Sequence, residues 1–109
     1  MATQVLHRAF KVTPQEEASE ILSLLHETQD TQEDCLREYL AGMIQNSSTS
    51  FESLKLCIKT IMEVNDEFIF IQFIRYCQET IHIDALLEYV LKMDFSLKYS
   101  SIMWNILKN

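Results

Sequence analysis

A single glycine, Gly42, and a single proline, Pro14, stand in a chain of 109 residues. Sandwiches and barrels turn through many tight hairpins, and those turns draw on Gly, Asn-Gly and Pro. Their scarcity disfavours an all-β fold. It also excludes a glycine-rich phosphate loop, in which bare backbone N–H groups surround an anion. Long apolar runs are missing: Phe68-Ile69-Phe70-Ile71, even carried through Gln72 to Ile74, falls far short of a membrane span. Residues 1–12 hold no apolar leader core and no small-residue cleavage site. Positive charge is sparse, with nine Lys and Arg against sixteen Asp and Glu and a net charge of −7. Nucleic-acid affinity rests on cations that neutralise phosphates, so a chain without a basic stripe is a poor nucleic-acid binder. Anionic membranes are disfavoured for the same reason. Cys35, Cys57 and Cys77 are odd in number and far apart, unlike the even, dense framework of a secreted domain. The expectation is a reducing, intracellular compartment, cytoplasmic or nuclear.

What the chain does have is apolar residues at helical spacing, 48% of it being hydrophobic. Residues 1–12 read as a lead-in or short arm, with Val5, Leu6, Ala9 and Phe10 hinting at a short helix. Thr13-Pro14-Gln15-Glu16 is a capping box with proline at the first helical position, opening a helix to about Glu27. Its apolar stripe is Ala18, Ile21, Leu22 and Leu25. Asp30 or Thr31 is expected to cap a second helix with Leu36, Tyr39, Leu40 and Met43 on its buried face. Gly42 either weakens that helix slightly or lets another backbone come close. Asn46 to Ser50 is the clearest loop, and Thr49-Ser50-Phe51-Glu52 reads as a second capping box. It opens a helix through Leu54, Cys57, Ile58, Ile61 and Met62.

Asp66 then caps the ambiguous stretch. Residues Phe68 to Ile74 favour a strand locally, being β-branched and aromatic. A lone strand cannot satisfy its hydrogen bonds, so the expectation is a helix from Glu67 to about Ile81, buried on nearly all sides. Asp84 is expected to cap a helix to Met93 with Leu86, Leu87, Val90 and Leu91 inward. A last helix starts at Ser96 or Ser100. It stops on apolar residues, which fits a chain cut from a longer one. Sliding the chain by about 32 residues, within the helical-hairpin range, aligns Leu54 with Leu86, Ile58 with Val90 and Ile61 with Met93. The fold class is therefore all-α: five to six short amphipathic helices in antiparallel hairpins, as a compact bundle or an α-solenoid-like segment, with residues 13–109 as a single domain.

Chemistry-bearing clusters are few. Cys77 and His82 lack the paired, short-spaced companions of a structural zinc site, so no metal is expected. No cofactor is expected either. Cys77, His82 and Asp84 supply the residue types of a thiol enzyme or redox sensor, but their apolar setting does nothing to favour a thiolate. Buried cysteines at helix interfaces are the simpler reading. Glu16, Glu17, Glu33 and Asp34 sit in first helical turns, where the helix dipole explains them, and they would also steer a basic partner. His26 reads as a dipole partner near a helix end.

The apolar surplus is the most informative feature. Adjacent pairs such as Phe70-Ile71 and Met103-Trp104 point to different helix sides, and a chain this small cannot easily bury both. The leading expectation is a non-catalytic protein–protein interaction domain, an adaptor or scaffold. It would hold a partner protein, one with a basic surface or a second copy of itself, through Trp104, Tyr99, Met103 and Phe95. An apolar small-ligand carrier is the third alternative.

Overall fold

The computed structural model describes residues 13–31, 33–46 and 49–108, so the arm read at residues 1–12 lies outside it. Among the described residues there are six helices and no strand: α1 Pro14–Thr31, α2 Asp34–Gln45, α3 Phe51–Val64, α4 Glu67–Cys77, α5 Ile83–Met93 and α6 Lys98–Lys108.

The first capping box closes as its residues dictate. Glu16 N–H donates to Thr13 Oγ1 at 3.2 Å, and Thr13 N–H donates to Glu16 Oε1 at 3.4 Å. α1 runs past its expected end at Glu27 to Thr31, and two threonine hydroxyls near that end bond back to carbonyls about one turn earlier. Thr28 Oγ1 donates to Leu25 at 3.0 Å and Thr31 Oγ1 to Glu27 at 2.9 Å. His26 is thus inside the helix, its Nδ1–H donating to the Leu22 carbonyl at 2.8 Å. With Asp30 and Thr31 inside α1, α2 is capped by Glu33, without a side-chain bond. A Cβ placed on Gly42 would meet nothing, so close backbone approach is not its role.

Ser50, not Thr49, caps α3, accepting from Ser53 N–H at 3.2 Å. Thr49 is buried, and its hydroxyl donates to the Met43 carbonyl. Asp66 caps α4 as expected, accepting from Ile69 N–H at 3.0 Å. The Phe68–Ile74 stretch is helical because Ile69, Phe70, Phe73, Ile74 and Cys77 then share one face and reach the core together. Tertiary packing outweighs local strand preference here. α4 ends at Cys77, short of Ile81, where the Thr80 backbone N–H and hydroxyl both turn back to the Cys77 carbonyl. It is also less enclosed than expected, since Phe68 and Arg75 are exposed. His82 holds the cap position of α5, and Asp84 falls in its first turn. Leu91, expected inward, is exposed.

α6 starts at Lys98, between the two expected serines, because Asp94 organises the turn before it. Its carboxylate accepts from Ser96 Oγ at 3.2 Å and from Ser100 N–H at 2.7 Å, while its backbone N–H closes α5 onto Val90 at 2.8 Å.

The helices pack as three successive hairpins. α1 lies on α2, α3 on α4 and α5 on α6. Across hairpins α3 touches α1 and α5, while α4 touches α2 and α6. The result is an all-α helical bundle of two layers, α1–α3–α5 and α2–α4–α6, with α1 also reaching α4. Of the residues aligned by the sequence offset, Leu54, Ile58, Ile61, Leu86 and Val90 are buried and Met93 is partly so, and the helices that carry them, α3 and α5, touch. Phe70 and Phe73 of α4 are wholly buried, each side chain contributing roughly 2–3 kcal/mol.

Candidate functional site

The expected partner-binding residues divide into two pairs. Phe95 in the α5–α6 turn is 97% exposed, and Trp104 on α6 is 57% exposed. Tyr99 and Met103 are buried and cannot serve as surface anchors. The reason is geometric. Tyr99 and Met103 lie one helical turn apart on the face of α6 that meets the core, whereas Trp104 is rotated away from it. The Tyr99 ring packs on Phe70 with centroids 4.8 Å apart, and its hydroxyl donates to Asn65 Oδ1. Burial pushes that hydroxyl above its ordinary pKa. The same Asn65 oxygen accepts from Lys98 Nζ at 2.9 Å, and Lys98 also pairs with Glu67 at 2.9 Å. That hydrogen bond to Glu67 holds the ammonium above its usual range.

Two further apolar side chains of the α5–α6 hairpin lie at the surface without having been expected there. Leu91 near the end of α5 and Leu97 just before α6 are both exposed. Leu97 adopts a left-handed backbone, φ 61°, and its N–H donates to the Asp94 carbonyl at 3.1 Å. A bulky L-residue in that region costs about 1–2 kcal/mol. The signal available in the sequence was two apolar residues, Phe95 and Leu97, alternating with the turn formers Asp94 and Ser96. Leu91, Phe95, Leu97 and Trp104 thus all project from the single α5–α6 hairpin.

The thiols have another setting. Cys57 and Cys77 are fully buried, whereas Cys35 is exposed. Burial first, and the Glu17 charge second, push the Cys57 thiol far above its ordinary value. Burial does the same to Cys77, so both stay protonated at neutral pH. Cys57 Sγ donates to the Ala18 carbonyl at 3.6 Å. Of the companions proposed for Cys77, His82 lies tilted against the Phe51 ring at 5.7 Å and Asp84 is exposed. The steering acids divide too. Glu16, Glu33 and Asp34 are exposed, but Glu17 is buried, accepting from Ser53 Oγ and from Ser50 N–H at 3.4 Å. It ties α1 to the start of α3, where the helix dipole favours a carboxylate.

Among the described residues no group of three or more His, Cys, Asp or Glu stands ready to hold a metal ion, and no helix is long and apolar enough to cross a membrane. An apolar groove beside Leu22, Ile61, Val64 and Ile69 encloses about 250 Å³, below the roughly 300–1,000 Å³ usual for small-molecule sites. Compared with known proteins, the chain matches no family model, no curated protein and no solved structure.

Proposed function

We propose that this chain is a non-catalytic protein-interaction domain, an adaptor or scaffold module that docks a partner protein through its α5–α6 hairpin. The observation that carries the reading is the exposure of Leu91, Phe95, Leu97 and Trp104 on that one hairpin. Large apolar groups left in water on one helical hairpin are the usual mark of a surface that another protein covers. Phe95 and Trp104 are rigid aromatics of the kind that supply most of the energy at interfaces, with a polar rim excluding water around them. Leu97 is held out at a conformational cost that its own exposed side chain does not recover within the monomer. Exposed Glu16, Glu33 and Asp34 would quicken the approach of a basic partner rather than hold it. Three free thiols suit a reducing compartment, the cytoplasm or the nucleus.

Site-specific photo-cross-linking tests this reading. A photoreactive phenylalanine analogue replaces Phe95, Trp104 or, as a control on exposed α3 surface, Glu63. Discrete adducts from positions 95 and 104 but not from 63 support the hairpin as a docking face, and their mass separates a partner from a second copy. The same adducts from all three positions, or none from 95 and 104, would overturn it.

A further inference from the structure

We infer that the α2–α4–α6 layer carries a second binding site, a groove along α4 that takes an acidic, extended segment of a partner protein. α4 turns its core face inward and leaves Phe68, Gln72 and Arg75 on one stripe, at i, i+4 and i+7. On one side of the stripe, α1 and α2 close a groove of about 270 Å³ into which both Arg37 and Arg75 face. On the other, α4 and α6 frame a groove of about 410 Å³ lined by Arg75, Gln78, Asn105 and Ile106. Arg75 borders both, so they adjoin across α4.

The charge of this lining is the reverse of the chain's. Acids outnumber bases sixteen to nine overall, yet among the described residues no carboxylate lines either groove. Arg75 is exposed and has no ion-pair partner among the described residues. Arg37 has Asp34 at 3.7 Å, an exposed i,i+3 pair too loose to resist an incoming carboxylate. A guanidinium fork matches a carboxylate in geometry as well as charge. Phe68, 50% exposed at one end of the stripe, offers a surface to an apolar side chain. Gln72, Gln78 and Asn105 carry amides that can pair with peptide N–H and C=O groups. Phe68 to Gln78 covers roughly 15 Å at the rise of a helix, which an extended peptide spans in about four or five residues. A long polyanion such as nucleic acid would also meet the field of a chain with net charge −7. A short acidic segment confined to the groove largely avoids it.

This site shares none of the four apolar side chains of the hairpin and stands or falls separately. The probes are a synthetic aspartate–leucine peptide, its asparagine–leucine counterpart, inorganic phosphate and an oligothymidylate. Each is titrated into the full ¹⁵N-labelled chain, with backbone amide shifts as the readout. The aspartate peptide should shift Phe68, Gln72, Arg75 and Asn105 saturably, and the asparagine peptide should bind about tenfold more weakly. Arg75→Gln should lose about tenfold and Arg75→Lys less, since charge stays while the fork is lost. Arg75 is exposed, and circular dichroism checks that both variants fold. Equal binding of the asparagine peptide, no shift at all, or shifts centred on Phe95 and Trp104 would each overturn the proposal. So would phosphate or oligothymidylate reproducing the pattern at equal concentration, which would reassign the groove to small anions or nucleic acid. A Phe95→Ser, Trp104→Ala double variant should leave the titration unchanged, whatever it does to hairpin docking.

Discussion

Asn65 joins the end of α3 to the start of α6, and the contributions of its backbone and side chain can be separated. It closes α3 in the left-handed region, φ 59°, with its N–H turned to the Ile61 and Met62 carbonyls. Its Oδ1 receives the Tyr99 hydroxyl and the Lys98 ammonium. Asn65→Ala forces a less tolerant residue into the left-handed turn, at about 1 kcal/mol, and strips the buried-side Tyr99 hydroxyl of its acceptor, at about 1–3 kcal/mol. The expected loss is about 2–4 kcal/mol in all. Asn65→Gly keeps the turn relaxed and loses only the acceptor, so it should cost about 1 kcal/mol less than the alanine variant. Tyr99→Phe leaves the ring on Phe70 and removes the hydroxyl alone, for about 1 kcal/mol. Urea unfolding followed by circular dichroism measures each variant, and the Asn65→Gly, Tyr99→Phe double variant closes the cycle with a coupling of about 1 kcal/mol. For a chain of this size each kcal/mol also moves the thermal midpoint by roughly 4–8 °C. Two results would contradict these roles of Asn65. Additivity within about 0.3 kcal/mol would mean that the hydroxyl bond contributes nothing to holding Tyr99 in the core. Equal losses for glycine and alanine would mean that the left-handed turn is not what asparagine is there for.

Four further outcomes are expected. Gly42→Ala should raise stability by about 0.5–1 kcal/mol, because the position is helical and its Cβ would enter open space; a lower urea midpoint would contradict the open site. Phe95→Ser should change stability by less than about 0.5 kcal/mol, against about 3–5 kcal/mol for Phe73→Ala, and comparable losses would return Phe95 to the core. Raised pKa values at Cys57, Cys77, Tyr99 and Lys98 share one sign of linkage: the folded state holds its protons longer. Their contribution is complete below the ordinary thiol value of 9.0 and declines as pH rises beyond it, so the urea midpoint should be lower at pH ~10 than at pH ~7.5. An unchanged or higher midpoint at the alkaline pH would count against those shifts. In the same samples an aromatic disulfide reagent should modify Cys35 at once and the two buried thiols only as fast as the chain opens.

Helix identity was legible wherever period and capping chemistry agreed. Thr13, Pro14 and Glu16 opened α1 as read, and Asp66 opened α4, because a capping side chain bonds a backbone group within a few residues. Helix ends were less legible. Thr31 read as a candidate cap of the second helix, yet it lies in the last turn of α1 with its hydroxyl bonded back to the Glu27 carbonyl. Asp94 was passed over because its carboxylate reaches forward to Ser100, past the turn it organises. Among the site residues, apolar character identified the whole 95–104 region but could not divide it. Phe95 and Trp104 face water while Tyr99 and Met103 face Phe70 and its neighbours.

An all-α chain without a glycine-rich phosphate loop and with apolar stripes enough for a core was already legible in the residues. Each of these follows from composition or from the 3.6-residue period, which act locally. The pairing of hairpins into two layers, the burial of Glu17 against Ser53 and the meeting of Arg37 with Arg75 along one groove arise only once the helices pack. All of these depend on the rotation of one helix against another. That rotation is set by the simultaneous packing of distant side chains, and no single stretch of sequence specifies it.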